Sequence, residues 1–192
     1  MDLDKNHPEF YLLKWLSSII PADHLESFEK SINKKPGRIT EGYKELMASY
    51  QIENAQPLIT VTEELPEQNY GGLVSGLDIP FISFCEHHFL PFFGTVDIVY
   101  EPGKYIIGIG KLSRLVDYRS NKFNIQERIA EQLCSDLMEF GLAKGAFARV
   151  KAQHMCVCYR GPKKYNSFNT VCYASGTLAE DSNKQQIGLI IN

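Results

Sequence analysis

The sequence contains no long hydrophobic run. Its longest apolar stretches, residues 10–13 and 89–93, are much shorter than the roughly 20 residues that a helix needs to cross a bilayer. The first five residues carry charges of both signs and no apolar segment follows them, so we expect neither a secretory signal nor a mitochondrial leader. These absences predict a soluble, cytoplasmic protein that binds no membrane.

Neither sign of charge is in large excess. The chain has 20 Lys and Arg residues against 23 Asp and Glu residues, which gives a net charge of -3. A protein that binds nucleic acid through its phosphates needs a surplus of positive charge. We therefore predict no nucleic-acid partner, and we expect any anionic ligand to be held by a local cluster of cations.

Cysteine is scarce and shows no pairing pattern. The five cysteines are Cys85, Cys134, Cys156, Cys158 and Cys172, an odd number at uneven spacings. Disulfide frameworks usually show an even number of cysteines in a short secreted chain, so we expect free thiols or metal ligands here. Cys134 and Cys172 lie inside apolar patterns and are interpreted as core residues.

The chain has enough apolar material for a substantial core. Of its 192 residues, 44% are hydrophobic, with 10 Tyr and 11 Phe, which is typical of one globular domain with at most a small appendage. Apolar residues recur every three or four positions in the first fifty residues. This period predicts helices from Pro8, over 24–32 and over 38–50. We divide the chain into an N-terminal helical segment, 1–52, and a second domain, 53–192.

The second domain is predicted to be α+β. Segments rich in β-branched and aromatic residues predict strands; they are 58–62, 79–84, 95–100, 105–109, 146–160 and 169–178. Residues 101–104, Glu-Pro-Gly-Lys, predict a hairpin turn between the third and fourth strands. The helical period returns over 112–140 and predicts two helices that meet near residue 120. We expect an antiparallel sheet with its helices packed on one face.

Two short segments hold most of the chemically reactive side chains. Cys85-Glu86-His87-His88 and His154-Met155-Cys156-Val157-Cys158 contain three of the five histidines and three of the five cysteines. Zinc binds thiolates and imidazoles, and a catalytic site usually supplies three protein ligands and leaves the fourth position open. Cys85, His88 and one cysteine of the second segment satisfy this requirement.

The geometry of these segments follows from the predicted strands. On an extended strand His154, Cys156 and Cys158 point to one face. Cys85 and His88 converge only if their strand turns near Glu86. A closed structural site, with Cys158 as a fourth ligand, is the alternative to an open catalytic site.

Four cations are candidates for binding an anion. Lys111 and Arg114 are three residues apart at the start of a predicted helix, so they share a face beside a helix N-terminus that attracts anions. Arg160 follows the second cysteine segment, and Arg38 follows a Pro-Gly pair. Considered one at a time, such residues are usually solvated surface charges.

In combination, these residues resemble the GTP cyclohydrolase I family, whose members catalyse the first step of pterin and folate synthesis. The resemblance runs from about residue 36 to residue 178. Its blocks are CEHH at 85–88 followed by PF at 91–92, GIGKLSR at 108–114, QER at 126–128, HMC at 154–156 and RG at 160–161. It implies the tunnelling fold, in which antiparallel sheets of several subunits join into a barrel with helices outside. It also implies a homodecamer with active sites between subunits.

The family pattern implies a reaction and its catalytic groups. Cys85, His88 and Cys156 become the ligands of a catalytic Zn2+, whose fourth position holds the water that attacks C8 of guanine. His154 becomes the general acid at N7, and His87 assists ring opening and the release of formate. The implied product is 7,8-dihydroneopterin triphosphate, and no redox cofactor is implied.

The resemblance also assigns residues to the substrate GTP. Glu127 would accept hydrogen bonds from N1–H and the 2-amino group of guanine, and Gln126 would help to orient the nucleoside. The triphosphate would be bound by Lys111, Arg114, Arg160 and Arg38. Two positions depart from the usual pattern: Gly110 replaces a frequent Ser, and Lys35-Pro36-Gly37-Arg38 replaces Thr-Pro-x-Arg.

Other functions are compatible with parts of the pattern. A cyclohydrolase that stops at a ring-opened product would need the same metal segment. A tunnelling-fold nitrile reductase would use a cysteine nucleophile and a nicotinamide cofactor, and it would leave the His-x-Cys segment without a role. A non-enzymatic zinc protein would release no formate.

Overall fold

The computed structural model describes residues 5–59, 63–64 and 70–191, with the backbone alone at 63–64. It forms two compact units, Met1–Met47 and Ala48–Asn192. In the described part of the chain, every helix is too short or too polar to cross a membrane. The functional division at residue 52 stays a prediction.

The first unit consists of three helices, α1 (Pro8–Leu16), α2 (Ala22–Lys34) and α3 (Arg38–Leu46). The helix expected from Pro8 is confirmed, with His7 as its N-cap. The second helix is also confirmed, and it is longer than 24–32. The third ends at Leu46 instead of running to residue 50, and a 3-10 turn, Ala48–Gln51, follows in the second unit.

A buried carboxylate organises the start of α3. Glu9 is 1% exposed, and its oxygens accept hydrogen bonds from the backbone N–H groups of Gly37 (2.8 Å), Ile39 (2.8 Å) and Thr40 (3.1 Å). Burial by itself raises the pKa of Glu9, but these backbone donors outweigh it and the pKa is lowered. Glu9 therefore caps α3 from a different helix, a role that Ser, Thr, Asp or Asn usually performs locally.

The second unit is built on a five-stranded sheet of β2 (Val74–Cys85), β3 (Pro91–Glu101), β5 (Phe123–Asn124), β6 (Gly145–His154) and β7 (Asn169–Gly176). The order of the strands across the sheet is β5-β2-β3-β6-β7. The four longer strands are antiparallel to their neighbours, and β5 runs parallel to the end of β2. A separate two-stranded sheet pairs β1 (Glu63–Glu64) with β4 (Tyr105–Ile106).

The main core lies between this sheet and helices α5 (Ile109–Ser120) and α6 (Gln126–Glu139). Alternate residues of the central strands, such as Val96, Ile98 and Val150, face Leu115 and Leu133 of these helices in one buried cluster. The α+β fold class and the two helices that meet near residue 120 are confirmed.

A smaller cluster covers part of the opposite sheet face. Val99 and Phe147, which are cross-strand partners, pack there with Leu178 and Ile187. Ile187 belongs to a C-terminal helix, α8 (Asp181–Ile191), which the sequence patterns did not predict. The helix has a polar first half, so its apolar period covers barely one turn.

The strand predicted over 58–62 is wrong where the structure describes it. Residues Gln56–Ile59 form a short helix, α4, and 60–62 lie outside the described residues. The side-chain oxygen of Asn54 accepts a hydrogen bond from Gln56 N at 3.0 Å, and Pro57 follows in the first turn. Both features favour the start of a helix over an extended segment.

The predicted hairpin at 101–104 is also wrong. The strand that follows it is β4, which pairs with β1 instead of β3, and Ile109 already belongs to α5. The buried hydroxyl of Tyr100 accepts from Ile107 N at 2.8 Å and donates to Ile107 O at 3.3 Å. A hairpin cannot form because Tyr100 already pairs with Val74 of β2 on one side and with Ala146 of β6 on the other.

The strand predicted over 146–160 ends six residues early. His154 pairs with Phe92, so the next pair would join Met155 to Pro91, and Pro91 has no N–H to donate. The chain turns instead into a short helix, α7 (Met155–Cys158). Because residues two apart in a helix lie on opposite sides, the prediction that His154, Cys156 and Cys158 share one face is wrong.

One of the two predicted core cysteines is not in the core. Cys134 is buried, and burial raises the pKa of its thiol to about 12. Cys172 is exposed. Its neighbour Val171 packs against the core, so the alternation of the strand directs Cys172 to the other face.

Candidate metal centre and active site

Strand order brings the two reactive segments together. β2 and β6 are both antiparallel to β3, which lies between them, so β2 and β6 are parallel to each other. Their C-terminal ends, Cys85 and His154, consequently lie at the same edge of the sheet. Roughly 70 residues of sequence separate two segments that are about 10 Å apart as strands.

A tight turn after Cys85 provides the histidines. Cys85 N donates to Leu90 O and Phe89 N donates to Cys85 O, both at 2.9 Å, so the chain closes on itself. Phe89 has a φ of 59° to complete this turn. The expected turn near Glu86 is confirmed, and it brings Nδ1 of His87 to 3.7 Å and Nδ1 of His88 to 3.9 Å from the Cys85 sulfur.

Three candidate ligands converge. Donor atoms of Cys85, His88 and Cys156 all lie within 4.8 Å of one another. Cys158 is buried and does not belong to this group. Between the two alternatives that the sequence left open, the three-ligand arrangement is the one present among the described residues.

The donor set fits zinc. Bond lengths of about 2.3 Å to sulfur and 2.0 Å to nitrogen, at tetrahedral angles, separate ligand atoms by about 3.5–3.8 Å, which a small contraction of this group achieves. Burial and the adjacent Cys85 thiol both raise the pKa of Cys156. Two neighbouring thiolates repel each other, so a bound cation would stabilise their ionised forms.

His154 is held on its face and on its edge. Its ring stacks on Phe92 with centroids 4.6 Å apart and an interplanar angle of 2°. Its Nε2 lies 2.8 Å from Oε1 of Gln126. Burial lowers the pKa of His154, and the nearby Glu127 carboxylate opposes this shift. His154 is therefore an ordered, half-buried imidazole two residues from a candidate metal ligand.

Helix α6 begins with three polar residues that behave differently. Gln126 is 3% exposed, and its amide nitrogen donates to Val150 O at 2.7 Å and to Asn169 O at 3.0 Å. Glu127 is exposed. Arg128 forms an ion pair with Glu86 in the turn that carries the histidines. Sequence reasoning missed this pair, although opposite charges in the CEHH and QER blocks were its signal.

The candidate phosphate-binding cations lie in three places. Lys111 and Arg114 are in the first half of α5, where Lys111 is half-buried and Arg114 is exposed. Arg160 follows α7 and is also exposed. Its charge lowers the pKa of Cys156, so Arg160 lies near the candidate metal ligands. Arg38 is the first residue of α3 in the other compact unit.

Comparison with known proteins identifies the family. The family model described as GTP cyclohydrolase I matches residues 15–190. The chain belongs to the GTP cyclohydrolase I family. GTP cyclohydrolase 1 of Fusobacterium nucleatum is 36% identical over 158 residues, which are 82% of each chain. The Finegoldia magna GTP cyclohydrolase 1 is 35% identical over 166 residues, covering 86% of this chain and 88% of the relative.

These relatives show that the chain is an enzyme of this family. The bifunctional protein FolKE of Lactococcus lactis is 37% identical over 151 residues, which are 43% of its own length. Among solved structures, the apo form of the archaeosine synthase QueF-Like is 18% identical, with a TM-score of 0.43 over 54% of this chain and 93% of that chain. A likeness this distant carries no conclusion about activity.

Proposed function

We propose that this protein is a zinc-dependent GTP cyclohydrolase I that converts GTP and water into 7,8-dihydroneopterin triphosphate and formate. The observation that carries the proposal is the convergence of Cys85, His88 and Cys156, with His154 two residues before Cys156 in the chain. Zinc held by these three residues would supply an activated water molecule, since metal binding lowers the pKa of water toward about 7.

His154 acts as the general acid at N7 of guanine. It lies two residues from the ligand Cys156, and its ring is ordered by Phe92 and Gln126. An imidazole can give and regain a proton near neutral pH, which suits a reaction in which N7 is protonated as its ring opens. His87, exposed in the turn beside the metal group, assists opening of the ring and release of formate.

Glu127 selects guanine. Its carboxylate is exposed at the start of α6 and close enough to His154 to influence the pKa of that residue. Two carboxylate oxygens match the adjacent N1–H and 2-amino donors of guanine, whereas adenine offers no such donor pair. The ion pair between Arg128 and Glu86 connects the start of this helix to the turn that carries His87 and His88.

Lys111, Arg114 and Arg160 of the second unit bind the triphosphate, and the assignment of Arg38 stays a prediction from the family resemblance. Lys111 and Arg114 lie near the N-terminus of α5, where backbone N–H groups and the helix dipole also favour an anion. The bonds of Tyr100 to Ile107 hold the chain just before this helix. Charge-assisted hydrogen bonds to phosphate are about twice as strong as neutral ones.

The active form is a cytoplasmic homodecamer in which sheets of several subunits join into a barrel. β7 lies at the edge of the described sheet, and most of its eight residues are exposed. An edge strand of this length is a ready template for pairing with another chain.

The direct test is incubation of the zinc-loaded protein with GTP. We expect formate together with a product that gives neopterin fluorescence after oxidation, and we expect Cys156→Ala to lose both zinc and turnover. Cys158→Ala, a buried thiol outside the metal group, is the matched control and keeps its zinc. Formate without neopterin would indicate an enzyme that stops at ring opening. The absence of formate would contradict the proposal.

A further inference from the structure

All polar atoms of the Gln126 side chain are used inside the protein. Its amide nitrogen donates to two backbone oxygens, of Val150 on β6 and of Asn169 at the start of β7. Its amide oxygen contacts Nε2 of His154. With 3% of the residue exposed, little of it is accessible to a nucleoside.

The two carbonyl groups decide the orientation of this amide. In the reverse orientation the amide oxygen would face two carbonyl oxygens, and none of the three has a proton to donate. The amide oxygen therefore faces His154. Because an amide oxygen only accepts hydrogen bonds, Nε2 of His154 must be the donor and must carry a proton.

We propose that Gln126 is a positioning residue that fixes the Nε2–H form of His154 and leaves Nδ1 as the nitrogen that exchanges a proton with the substrate. The donor is the imidazolium form, which carries a proton on both nitrogens. Its Nδ1 proton is transferred to N7 of guanine, the electron pair of that N–H bond stays on Nδ1, and the neutral Nε2–H form of His154 remains. This inference rests on the proposed function of His154. It gives Gln126 a different role from the nucleoside contact that the family resemblance implies.

The surroundings of Gln126 suit a positioning role. Its hydrogen bonds connect α6 with β6 and β7. The position of the imidazole is therefore fixed relative to three elements of the core. Phe92 adds a parallel ring at 4.6 Å, which restricts the tilt of the imidazole. Gln126 restricts its rotation and selects the nitrogen that remains available.

The kinetic constants of a Gln126 variant distinguish a residue that positions His154 from a residue that binds the substrate. Gln126→Met keeps the length of the side chain and removes its hydrogen bonds. We expect kcat to fall by about tenfold to a hundredfold, the usual scale for a misplaced catalytic group, with little change in KM. In a His154→Ala background the same substitution should have no further effect on kcat, because its target is absent.

A raised KM with unchanged kcat, or additive losses in the double variant, would overturn the inference. Gln132→Met is the matched control. Gln132 lies on the same helix, and its amide oxygen accepts from Asn124 Nδ2 at 3.2 Å. We expect its kcat and KM to match those of the wild type.

A spectroscopic measurement needs neither turnover nor a buried substitution. Solid-state 15N spectra of zinc-loaded protein labelled only at histidine report which ring nitrogen carries the proton, and the His154 signals are those lost in His154→Ala. We expect Nε2–H in the wild type and a mixture of tautomers in Gln126→Met. A wild-type His154 protonated at Nδ1 alone would disprove the inference even if Gln126→Met fails to fold. If GTP yields no formate, the proposed function fails while this measurement still decides the tautomer.

Discussion

The imidazole of His154, the proposed general acid, shows how neighbouring residues set the orientation and the pKa of a side chain. Phe92 restrains its plane, Gln126 restrains its edge, and Glu127 opposes the effect of burial on its pKa. These contacts come from β3 and from the first turn of α6. A general acid held in this way loses little entropy on reaching the transition state.

Removing this imidazole should affect chemistry and spare the metal. We expect His154→Ala to retain zinc, because His154 is not in the ligand group. We expect kcat to fall by at least about a hundredfold, the usual scale for losing a general acid. Zinc content and formate release, measured on the same preparation, check both statements. Unchanged turnover would remove His154 from the mechanism.

Gly110 offers a substitution that should improve binding. A Cβ added there would meet no atom within 4 Å, and the position precedes Lys111 near the start of α5. Gly110→Ser adds a hydroxyl that can donate to the triphosphate, and a hydrogen bond worth about 1 kcal/mol corresponds to a roughly fivefold lower KM. Gly188→Ser, equally unobstructed in α8, is the control and should leave KM unchanged.

At the scale of elements, helix ends in this protein depend on groups that are distant in sequence. Glu9 on α1 satisfies the first N–H groups of α3, and Tyr100 on β3 holds Ile107 before α5. A local N-cap is visible in a sequence, but a cap supplied by another element is not. The apolar period over 38–50 therefore predicted where α3 starts and gave no hint of Glu9.

Glu9→Gln should destabilise the first compact unit. The neutral amide accepts weaker hydrogen bonds and adds two buried donors without partners, so we expect a loss of about 2 kcal/mol. The chain's single tryptophan, Trp15, lies in this unit, so its emission during urea unfolding reports the change. Glu41→Gln, an exposed residue paired with Lys44 on α3, is the control and should alter stability by less than about 0.5 kcal/mol.

The contribution of Glu9 should also depend on pH. Its folded-state pKa is lowered, so the stabilisation is complete above the unfolded value of about 4.3 and is lost as the pH falls through the folded value. The midpoint of urea unfolding, measured by Trp15 emission, should therefore decrease as the pH of the wild-type protein is lowered from about 5. A fall of equal size in Glu9→Gln would show that other groups are responsible.

At the scale of the whole molecule, the antiparallel order of β2, β3 and β6 brings the candidate metal ligands together. Two parallel strands with one strand between them end at the same edge, and each end is followed by a turn that carries cysteine or histidine. The eight-residue edge strand β7 leaves this sheet open to extension by another chain.

The proposed decamer can be tested by measuring the mass of the active species. Light scattering after gel filtration should give about ten times the 21.8 kDa of one chain, and formate release should elute with that species. Since the proposed active sites lie between subunits, diluting the protein until it dissociates should abolish turnover. Full activity in a monomeric fraction would contradict this assembly.

The sequence by itself determined the types of residue at the site, the α+β class and the positions of most helices. Cysteine, histidine and paired cations can be recognised by their chemistry. The apolar period of a helix can also be recognised in a sequence without knowledge of the fold. The tertiary structure decided that Cys156 rather than Cys158 joins Cys85 and His88, because Pro91 cannot extend the ladder and β6 turns into a helix after His154. It also decided that Gln126 faces His154, since the two carbonyls that orient its amide belong to strands that are remote in sequence.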